Sequence, residues 1–259
     1  MLLAVDIGNT SINFGLFKKD RILNFRIPTF SLESVSLERI FVKKRVDIER
    51  ISEAIICSVV PKVSQKLKGR LKESFKVPPL VLGEDIFVPI KNLYRNPRQV
   101  GQDRLVNAYA AKILYGYPLI IVDFGTAITF DIISKRGDYL GGIIAPGLEI
   151  SKDVLSERTA LLPKVKLRKP RVLIGKDTQE SILSGIFFGF GCLVDGLLEK
   201  LKVKLRYHNI RVIATGGYAE LFLSFCKSIT KIDPHLTLKG ILFVSEFYHK
   251  YRVVKQRDL

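Results

Sequence analysis

Tryptophan is absent from this sequence of 259 residues, which holds one methionine, three histidines and three cysteines. Cys57, Cys192 and Cys226 are odd in number, far apart and set among apolar residues. They predict small core side chains in a reducing compartment and argue against disulfides. The histidines share no metal-ligand spacing with one another or with the cysteines, so the sequence also argues against a transition-metal site.

Long apolar runs and the two commonest nucleotide fingerprints are missing as well. The apolar start has no basic segment before it and runs directly into Asp6, and the stretch from Ile186 to Leu198 is interrupted by three glycines and an aspartate. These features predict a soluble cytoplasmic protein with no membrane partner. No G-x-G-x-x-G follows a strand and no G-x-x-x-x-G-K-[ST] occurs, which excludes dinucleotide-binding and P-loop sites.

Acidic residues are scarce relative to basic ones: 25 Asp and Glu stand against 42 Lys and Arg, for a net charge of +17. Such a balance favours anionic partners, including nucleic acid, phosphorylated metabolites and anionic membranes. The basic residues nevertheless alternate with apolar positions at helical spacing. No zinc finger, aromatic RNA platform or long basic block accompanies them. We interpret them as the solvated faces of amphipathic helices, with no specific nucleic-acid partner.

One pattern occurs twice: an apolar run that ends in Asp, then Gly, then a hydroxyl-bearing residue. It reads LLAVDIGNT at residues 2–10 and LIIVDFGT at residues 119–126. Each copy predicts a buried strand, a glycine turn and a second strand. A single copy would also fit an ordinary hairpin. Two copies indicate two related halves, 1–116 and 117–259, separated at Gly116-Tyr117-Pro118.

Each half then predicts three strands followed by alternating helices and strands. This order is typical of the duplicated α/β fold of actin-like (ribonuclease H-like) ATPases and sugar kinases, with a cleft between the two halves. Asp6 and Asp123 would end equivalent strands, next to turns rich in backbone N–H groups and hydroxyls. We expect both to face the cleft and to suit a polyphosphate bound to a metal ion. Gly216-Gly217, between a strand and a helix, would allow close approach of a ligand.

The segment G-Q-D-R at 101–104 opens a helix and can be interpreted in two ways. Asp103 could serve only as the N-cap of that helix. Alternatively, Asp103 could accept a hydrogen bond from a substrate hydroxyl while Arg104 holds an anion. Phosphoryl transfer needs such a carboxylate and such a cationic group, because its catalysis consists largely of positioning and charge neutralisation.

Six segments in order give the chain a family resemblance. They are D-I-G-N-T-S-I-N at 6–13, I-C-S-V-V-P at 56–61, G-Q-D-R-L-V-N-A at 101–108, D-F-G-T-A-I-T-F-D at 123–131, G-G-I-I-A-P-G at 141–147 and A-T-G-G-Y at 214–218. The chain resembles type III pantothenate kinases. These bacterial enzymes use ATP to convert pantothenate to 4'-phosphopantothenate, the first step of coenzyme A biosynthesis.

The resemblance implies a set of site residues. ATP would be bound by Thr126 and by Asp6, Ile7, Gly8, Asn9, Thr10, Ser11, Ile12 and Asn13. Asp103 would be the proton acceptor, and pantothenate would contact Tyr94, Gly101, Gln102, Asp103, Arg104 and, across a homodimer interface, Thr178. The loop around Tyr94 varies in length, which leaves its register open. Mg²⁺ would lie near Asp6, and Asp123 would hold a monovalent cation, K⁺ or NH₄⁺.

Two other functions fit parts of the sequence. A nucleotide-binding regulator on the same scaffold could use the basic surface for a partner, although it would not need Asp103. A kinase of the same fold could act on another small hydroxy acid, because the shape of the pocket selects the acceptor. The apolar helix at 182–198 fits a homodimer interface and core burial equally well.

Overall fold

The computed structural model describes residues 1–18, 21–207 and 209–257, so His208 lies outside the described residues. The strands are β1 (Leu2–Ile7), β2 (Ser11–Lys18), β3 (Arg21–Pro28), β4 (Glu53–Ser58), β5 (Leu80–Val81), β6 (Leu119–Phe124), β7 (Ala127–Ile133), β8 (Tyr139–Pro146), β9 (Arg211–Thr215) and β10 (Lys231–Ile232). The α-helices are α1 (Leu37–Lys43), α2 (Pro61–Phe75), α3 (Gln102–Tyr115), α4 (Leu148–Glu157), α5 (Thr178–Leu205), α6 (Ala219–Phe222) and α7 (Leu236–Arg257).

Two five-stranded sheets share one topology. The first has the order β3-β2-β1-β4-β5, and the second, read from the matching edge, has the order β8-β7-β6-β9-β10. In both, three antiparallel strands form a meander and two further strands add in parallel. The predicted duplication of an α/β unit is therefore confirmed.

The central strands β1 and β6 explain why the repeated motif is so apolar. Each strand is buried at every position except the aspartate next to its end, which is half-buried. A strand with neighbours on both sides and covered on both faces loses the polar alternation of a half-exposed strand. The motif thus places one carboxylate of each unit where a buried strand meets solvent.

Each sheet packs against its own aromatic cluster. Phe14 stacks on Phe25 with ring centroids 4.9 Å apart, and Phe41 meets both edge-on. In the second core, Phe222 lies 5.3 Å from Phe124 and 5.0 Å from Phe187. Such pairs add to the free energy of apolar burial, so each unit has a core of its own.

The chain forms two compact units, and they correct the predicted extent of the second half. One comprises Met1–Leu114 with His235–Leu259, and the other Tyr115–Pro234. Residues 235–259 were expected in the second half, but α7 packs against β1, β2 and β4. Ser245 of α7 donates a hydrogen bond to Glu53 of β4 (2.8 Å). An amphipathic pattern predicts a buried helix face but does not say which sheet covers it.

The helix expected at about residues 31–45 is shorter than predicted. Residues 29–31 form a single 3₁₀ turn, and α1 begins only at Leu37. Ser36 caps α1 by accepting a hydrogen bond from the Arg39 N–H (3.2 Å). The cap explains the later start, since serine satisfies an N–H group that would otherwise lack a partner at the helix terminus.

Helix α5 corrects two further expectations. By length and composition alone it could cross a membrane, although 44% of its most apolar window is buried inside the structure and a core helix passes the same test. Its apolar residues include Ile186, Phe187 and Val194 of the second core. Cys57 and Cys226 are buried as predicted, whereas Cys192 is exposed because it lies on the outward face of α5.

Candidate functional site

The first unit holds a tight turn between β1 and β2, here termed the Gly8 turn (residues 8–10). The Gly8 N–H donates to the carbonyl of Ser11 (3.0 Å). Thr29, just after β3, supports the turn from the side: its hydroxyl donates to the carbonyl of Gly8 (2.8 Å) and its N–H to the carbonyl of Thr10 (3.0 Å). The turn is therefore held at both ends before any ligand binds.

Asp6 precedes this turn in a network of three side chains. The Asn13 amide donates to Asp6 Oδ2 (3.3 Å), and Arg26 Nε donates to Asn13 Oδ1 (2.6 Å). Burial and the negative charge of Asp103 raise the pKa of Asp6 from 3.8 to about 6, against the opposing effects of Asn13 and Arg26. The carboxylate thus lies where a negative charge is costly unless a cation or donor compensates it.

Asp103 reaches the same region from α3. The helix begins at Gln102, so Asp103 lies inside its first turn and is not the N-cap. Its Oδ1 accepts the N–H of Arg104 (2.8 Å), and burial raises its pKa. A Cβ on Gly101 would overlap Asp103 Oδ1, so glycine is needed here to leave room for the carboxylate. Arg104 itself is buried.

The two carboxylates suit a divalent cation. The charge of Asp103 raises the pKa of Asp6, which means that the two carboxylates lie close enough to repel each other. Among the described residues, no group of three or more His, Cys, Asp or Glu could enclose a metal ion. Mg²⁺ is commonly held by one or two carboxylates together with water and substrate phosphates, and this pair fits that pattern.

The second unit carries the equivalent turn, here termed the Gly125 turn (residues 125–126). The Gly125 N–H donates to the carbonyl of Ala127 (3.2 Å), which matches the bond of Gly8. Gly216 has a φ of +92°, and a Cβ there would overlap Asp123 Oδ1. The absence of a side chain at Gly216 therefore leaves room for the Asp123 carboxylate itself. Thr126 belongs to this turn.

The remaining predicted residues lie in separate places. Tyr94 is half-buried in the loop before α3, with its N–H bonded to Asn92 Oδ1 (3.0 Å), and the Gln102 side chain lies beside Gly83. Thr178 is exposed in the first turn of α5, in the second unit. The structure therefore brings Asp6, Asn13 and Asp103 together in one unit, and Asp123 with Gly216 in the other.

Comparison with known proteins identifies the family. The family model for type III pantothenate kinases matches residues 2–200, which is more than half of the chain. The chain belongs to the type III pantothenate kinase family.

Solved structures with a similar fold support the assignment of the fold. A conserved protein of Campylobacter jejuni, assigned to the Baf family of transcriptional activators, is 21% identical with a TM-score of 0.60, and the match covers 96% of this chain and 99% of that one. A protein of Sinorhizobium meliloti, assigned as a 2-dehydro-3-deoxygalactonokinase, is 11% identical with a TM-score of 0.56 over 96% and 99% of the two chains. The fold is the duplicated actin-like fold that the motifs predicted.

The sequence analysis did not predict the roles of Arg26 and Thr29 in this member of the kinase family. Both contact the Gly8 turn or its neighbours, yet neither belongs to a motif that was singled out. The signal was present in the register of the meander, because Asn13 pairs with Arg26 and Ser11 with Pro28. Reading it requires knowing how β2 and β3 align, which alternation alone does not determine.

Proposed function

We propose that this protein catalyses ATP-dependent phosphorylation of pantothenate to 4'-phosphopantothenate in the cytoplasm, the first step of coenzyme A biosynthesis. Family membership supports a kinase that uses ATP. The observation that carries the proposal is that a second carboxylate, that of Asp103 in the first turn of α3, lies close enough to the Asp6 carboxylate beside the Gly8 turn to raise its pKa. A regulator that only binds nucleotide would need the Gly8 turn but not a second carboxylate such as that of Asp103.

In this proposal, residues 6–13 and Thr126 hold the ATP phosphates. A turn that opens with glycine can approach an anion closely and offers backbone N–H groups to it. The bonds from Thr29 fix the Gly8 turn in advance, which reduces the entropy lost on binding.

Asp103 would act as the proton acceptor. It takes the proton of the pantothenate hydroxyl as that oxygen bonds to the γ-phosphorus and the bond from this phosphorus to the ADP oxygen breaks. Burial raises the pKa of Asp103, which brings the carboxylate closer to the operating pH and improves proton transfer. The other residues proposed to contact the substrate are Tyr94, Gly101, Gln102, Arg104 and Thr178.

Two cations belong to the proposal. Asp6 would lie near Mg²⁺, and Asp123, whose carboxylate lies against Gly216, would hold K⁺ or NH₄⁺. When bound, the cations would neutralise phosphate charge. Asp6 and Asp123 would orient the phosphates through these ions, and each carboxylate is directed by its own buried strand.

A homodimer is also part of the proposal, with Thr178 contributing to the partner's substrate pocket. The outward face of α5 supports it: Gly185, Gly189 and Gly196 have open space where a Cβ would stand, and Leu193 on the same helix is 37% exposed. Small residues allow two helices to approach closely, and the burial of exposed apolar side chains favours their association.

A coupled kinase assay with pantothenate, Mg²⁺ and ATP, with and without K⁺, tests this function. We expect turnover that depends on K⁺ or NH₄⁺. Asp103→Asn should fold normally and lose about 10²- to 10⁴-fold in kcat. The exposed Asp47 provides the control, since Asp47→Asn removes the same charge on the surface. Normal turnover by Asp103→Asn would contradict the assigned base.

A second candidate is a nucleotide-binding regulator. The net charge of +17 and the fold shared with a protein assigned to the Baf transcriptional activators favour it. Titration of duplex DNA at several salt concentrations distinguishes the two candidates. Tight, steeply salt-dependent binding without phosphorylation of pantothenate would support the regulator. Phosphorylation of a different hydroxy acid in a substrate panel would instead identify a kinase with another acceptor.

A further inference from the structure

Three side chains form a row across the first sheet. Asp6 of β1 pairs directly with Asn13 of β2, and Asn13 pairs directly with Arg26 of β3. Residues that pair directly on adjacent strands extend from the same face of the sheet and lie close enough to interact. The row therefore begins at an exposed residue of the edge strand and ends at the half-buried Asp6.

The hydrogen bonds along this row have a direction. Arg26 Nε can only donate, so it selects the oxygen end of the Asn13 amide (2.6 Å). The nitrogen end then faces Asp6 Oδ2 (3.3 Å) as a donor. Without the guanidinium, the amide could rotate by half a turn and present its oxygen to the carboxylate, and the two acceptors would repel each other.

The residue that directly follows β3 contacts the Gly8 turn. Thr29 is buried and bonds to the carbonyls of Gly8 and Thr10 on either side of Asn9. Arg26 and Thr29 are three residues apart, so the end of β3 and the residue that follows it hold both the Asn13 amide beside Asp6 and the Gly8 turn. This arrangement fits a support for a bound ligand better than a general contribution to the core, because Arg26 is exposed.

We propose that Arg26 is a positioning residue of the nucleotide site: it holds the Asn13 amide in the orientation that directs Asp6 and the Gly8 turn towards the phosphates of a nucleoside triphosphate. The inference rests on the proposed function in one respect, namely that residues 6–13 bind ATP phosphates. The inference adds Arg26, which lies outside that segment. Arg26 would act by orienting Asn13 and would not contact the nucleotide directly.

A double-mutant cycle read by calorimetry tests the inference. The probes are ADP and a non-hydrolysable ATP analogue, each with Mg²⁺, bound to the full chain, so pantothenate turnover is not needed. Arg26→Gln should weaken binding of the ATP analogue about 10-fold, the lower end for residues that orient a ligand-binding group. In an Asn13→Ala background the same change should have less than about a 2-fold effect, because the group that it orients is gone.

Arg39→Gln is the matched control, since Arg39 is exposed on α1 and the change removes the same charge. It should bind nucleotide as the wild type does, and circular dichroism and thermal melting should show that both variants fold alike. Wild-type affinity in Arg26→Gln would overturn the inference. Equal losses with and without Asn13, or an equal loss in Arg39→Gln, would also overturn it, because charge alone would then explain the effect.

The outcomes also separate this inference from the proposed function. If the wild type binds the analogue and the cycle shows coupling, but pantothenate is not phosphorylated, the inference stands and the assigned substrate fails. If the wild type phosphorylates pantothenate and the cycle shows no coupling, the function stands and the inference fails. Absence of nucleotide binding by the wild type would overturn both.

Discussion

Asp6 is the residue at which the proposed ligand binding would come at the expense of stability. Its pKa is raised from 3.8 to about 6, so the folded protein at neutral pH carries a partly desolvated negative charge that the unfolded chain would expose fully to water. A bound cation or phosphate-bound metal would compensate this charge. Residues of this kind are common at functional sites, where stability is exchanged for function.

Asp6→Asn should therefore stabilise the ligand-free protein in a pH-dependent way. Because the folded pKa lies above the unfolded one, the destabilising effect of Asp6 is absent below about pH 4 and complete above about pH 6. We expect the variant to gain about 1–3 kcal/mol in the free energy of unfolding at pH 8 and nothing at pH 4.

Urea denaturation without nucleotide or Mg²⁺ at several pH values checks this expectation. Asp47→Asn, at an exposed position, controls for the substitution itself. A variant that is less stable than the wild type by the same amount at pH 4 and pH 8 would contradict the expected stabilisation at pH 8. It would then also contradict the desolvation of the Asp6 charge.

Gly101 has a comparable role for Asp103. A methyl group at Gly101 would overlap Asp103 Oδ1, which can move because it is the end of a side chain. Gly101→Ala should thus displace the carboxylate at little cost in stability and lower kcat about 10-fold or more, as loss of a positioned base does. Steady-state kinetics with pantothenate and a thermal melt measure the two effects.

Gly69 offers the control for this substitution. It lies on α2 with nothing within 4 Å of its would-be Cβ, so Gly69→Ala should leave kcat unchanged and stabilise the helix by about 0.5–1 kcal/mol. Full turnover by Gly101→Ala would show that the position of the Asp103 carboxylate is not critical.

At the scale of elements, α7 connects the end of the chain to the helix that carries Asp103. Gly240 of α7 meets α3 so closely that a Cβ would lie 2.5 Å from the carbonyl oxygen of Val106. Leu238 fills the space left by Gly15 of β2, at 3.0 Å from its would-be Cβ. Thr237 donates to Asn107 Oδ1 (2.8 Å). Helix α7 thus packs closely at both contacts, and at Gly240 the approach to the backbone of α3 leaves no room for a side chain.

Gly240→Ala should separate α7 from α3 and destabilise the first unit by about 1–3 kcal/mol, the usual cost of overpacking. Gly196→Ala on α5, where nothing lies within 4 Å, should be neutral or slightly stabilising. Urea denaturation of both variants measures the difference. If Gly240→Ala were as stable as Gly196→Ala, the close contact of α7 with α3 would be contradicted.

At the scale of the whole molecule, the mass in solution tests the proposed homodimer most directly. Light scattering after size exclusion should give twice the 29.3 kDa of one chain. Gly189→Arg, on the outward face of α5, should shift the mass towards the monomer, whereas Gly69→Arg on α2 should not. A wild type that is strictly monomeric would contradict the homodimer and the proposed role of Thr178.

Much of the fold could be predicted because its signals are local. The repeated motif predicted β1 and β6, and Asp177 before α5 forms the N-cap by accepting the Glu180 N–H (2.7 Å). The start of α1 at Leu37 was missed although its cap, Ser36, is a local signal, and the exposure of Cys192 could not be predicted because the choice of the buried helix face depends on distant neighbours.

The sequence by itself determined the duplication, the apolar strands that end in Asp6 and Asp123, and the family, since each is written in contiguous residues. Only the tertiary structure decided that α7 joins the first unit, that Thr29 supports the Gly8 turn and that Arg26 bonds to Asn13 beside Asp6. The physical reason is range. Strand burial, turns and caps depend on residues a few positions apart, whereas the register of β3 and the packing of α7 depend on contacts between distant segments.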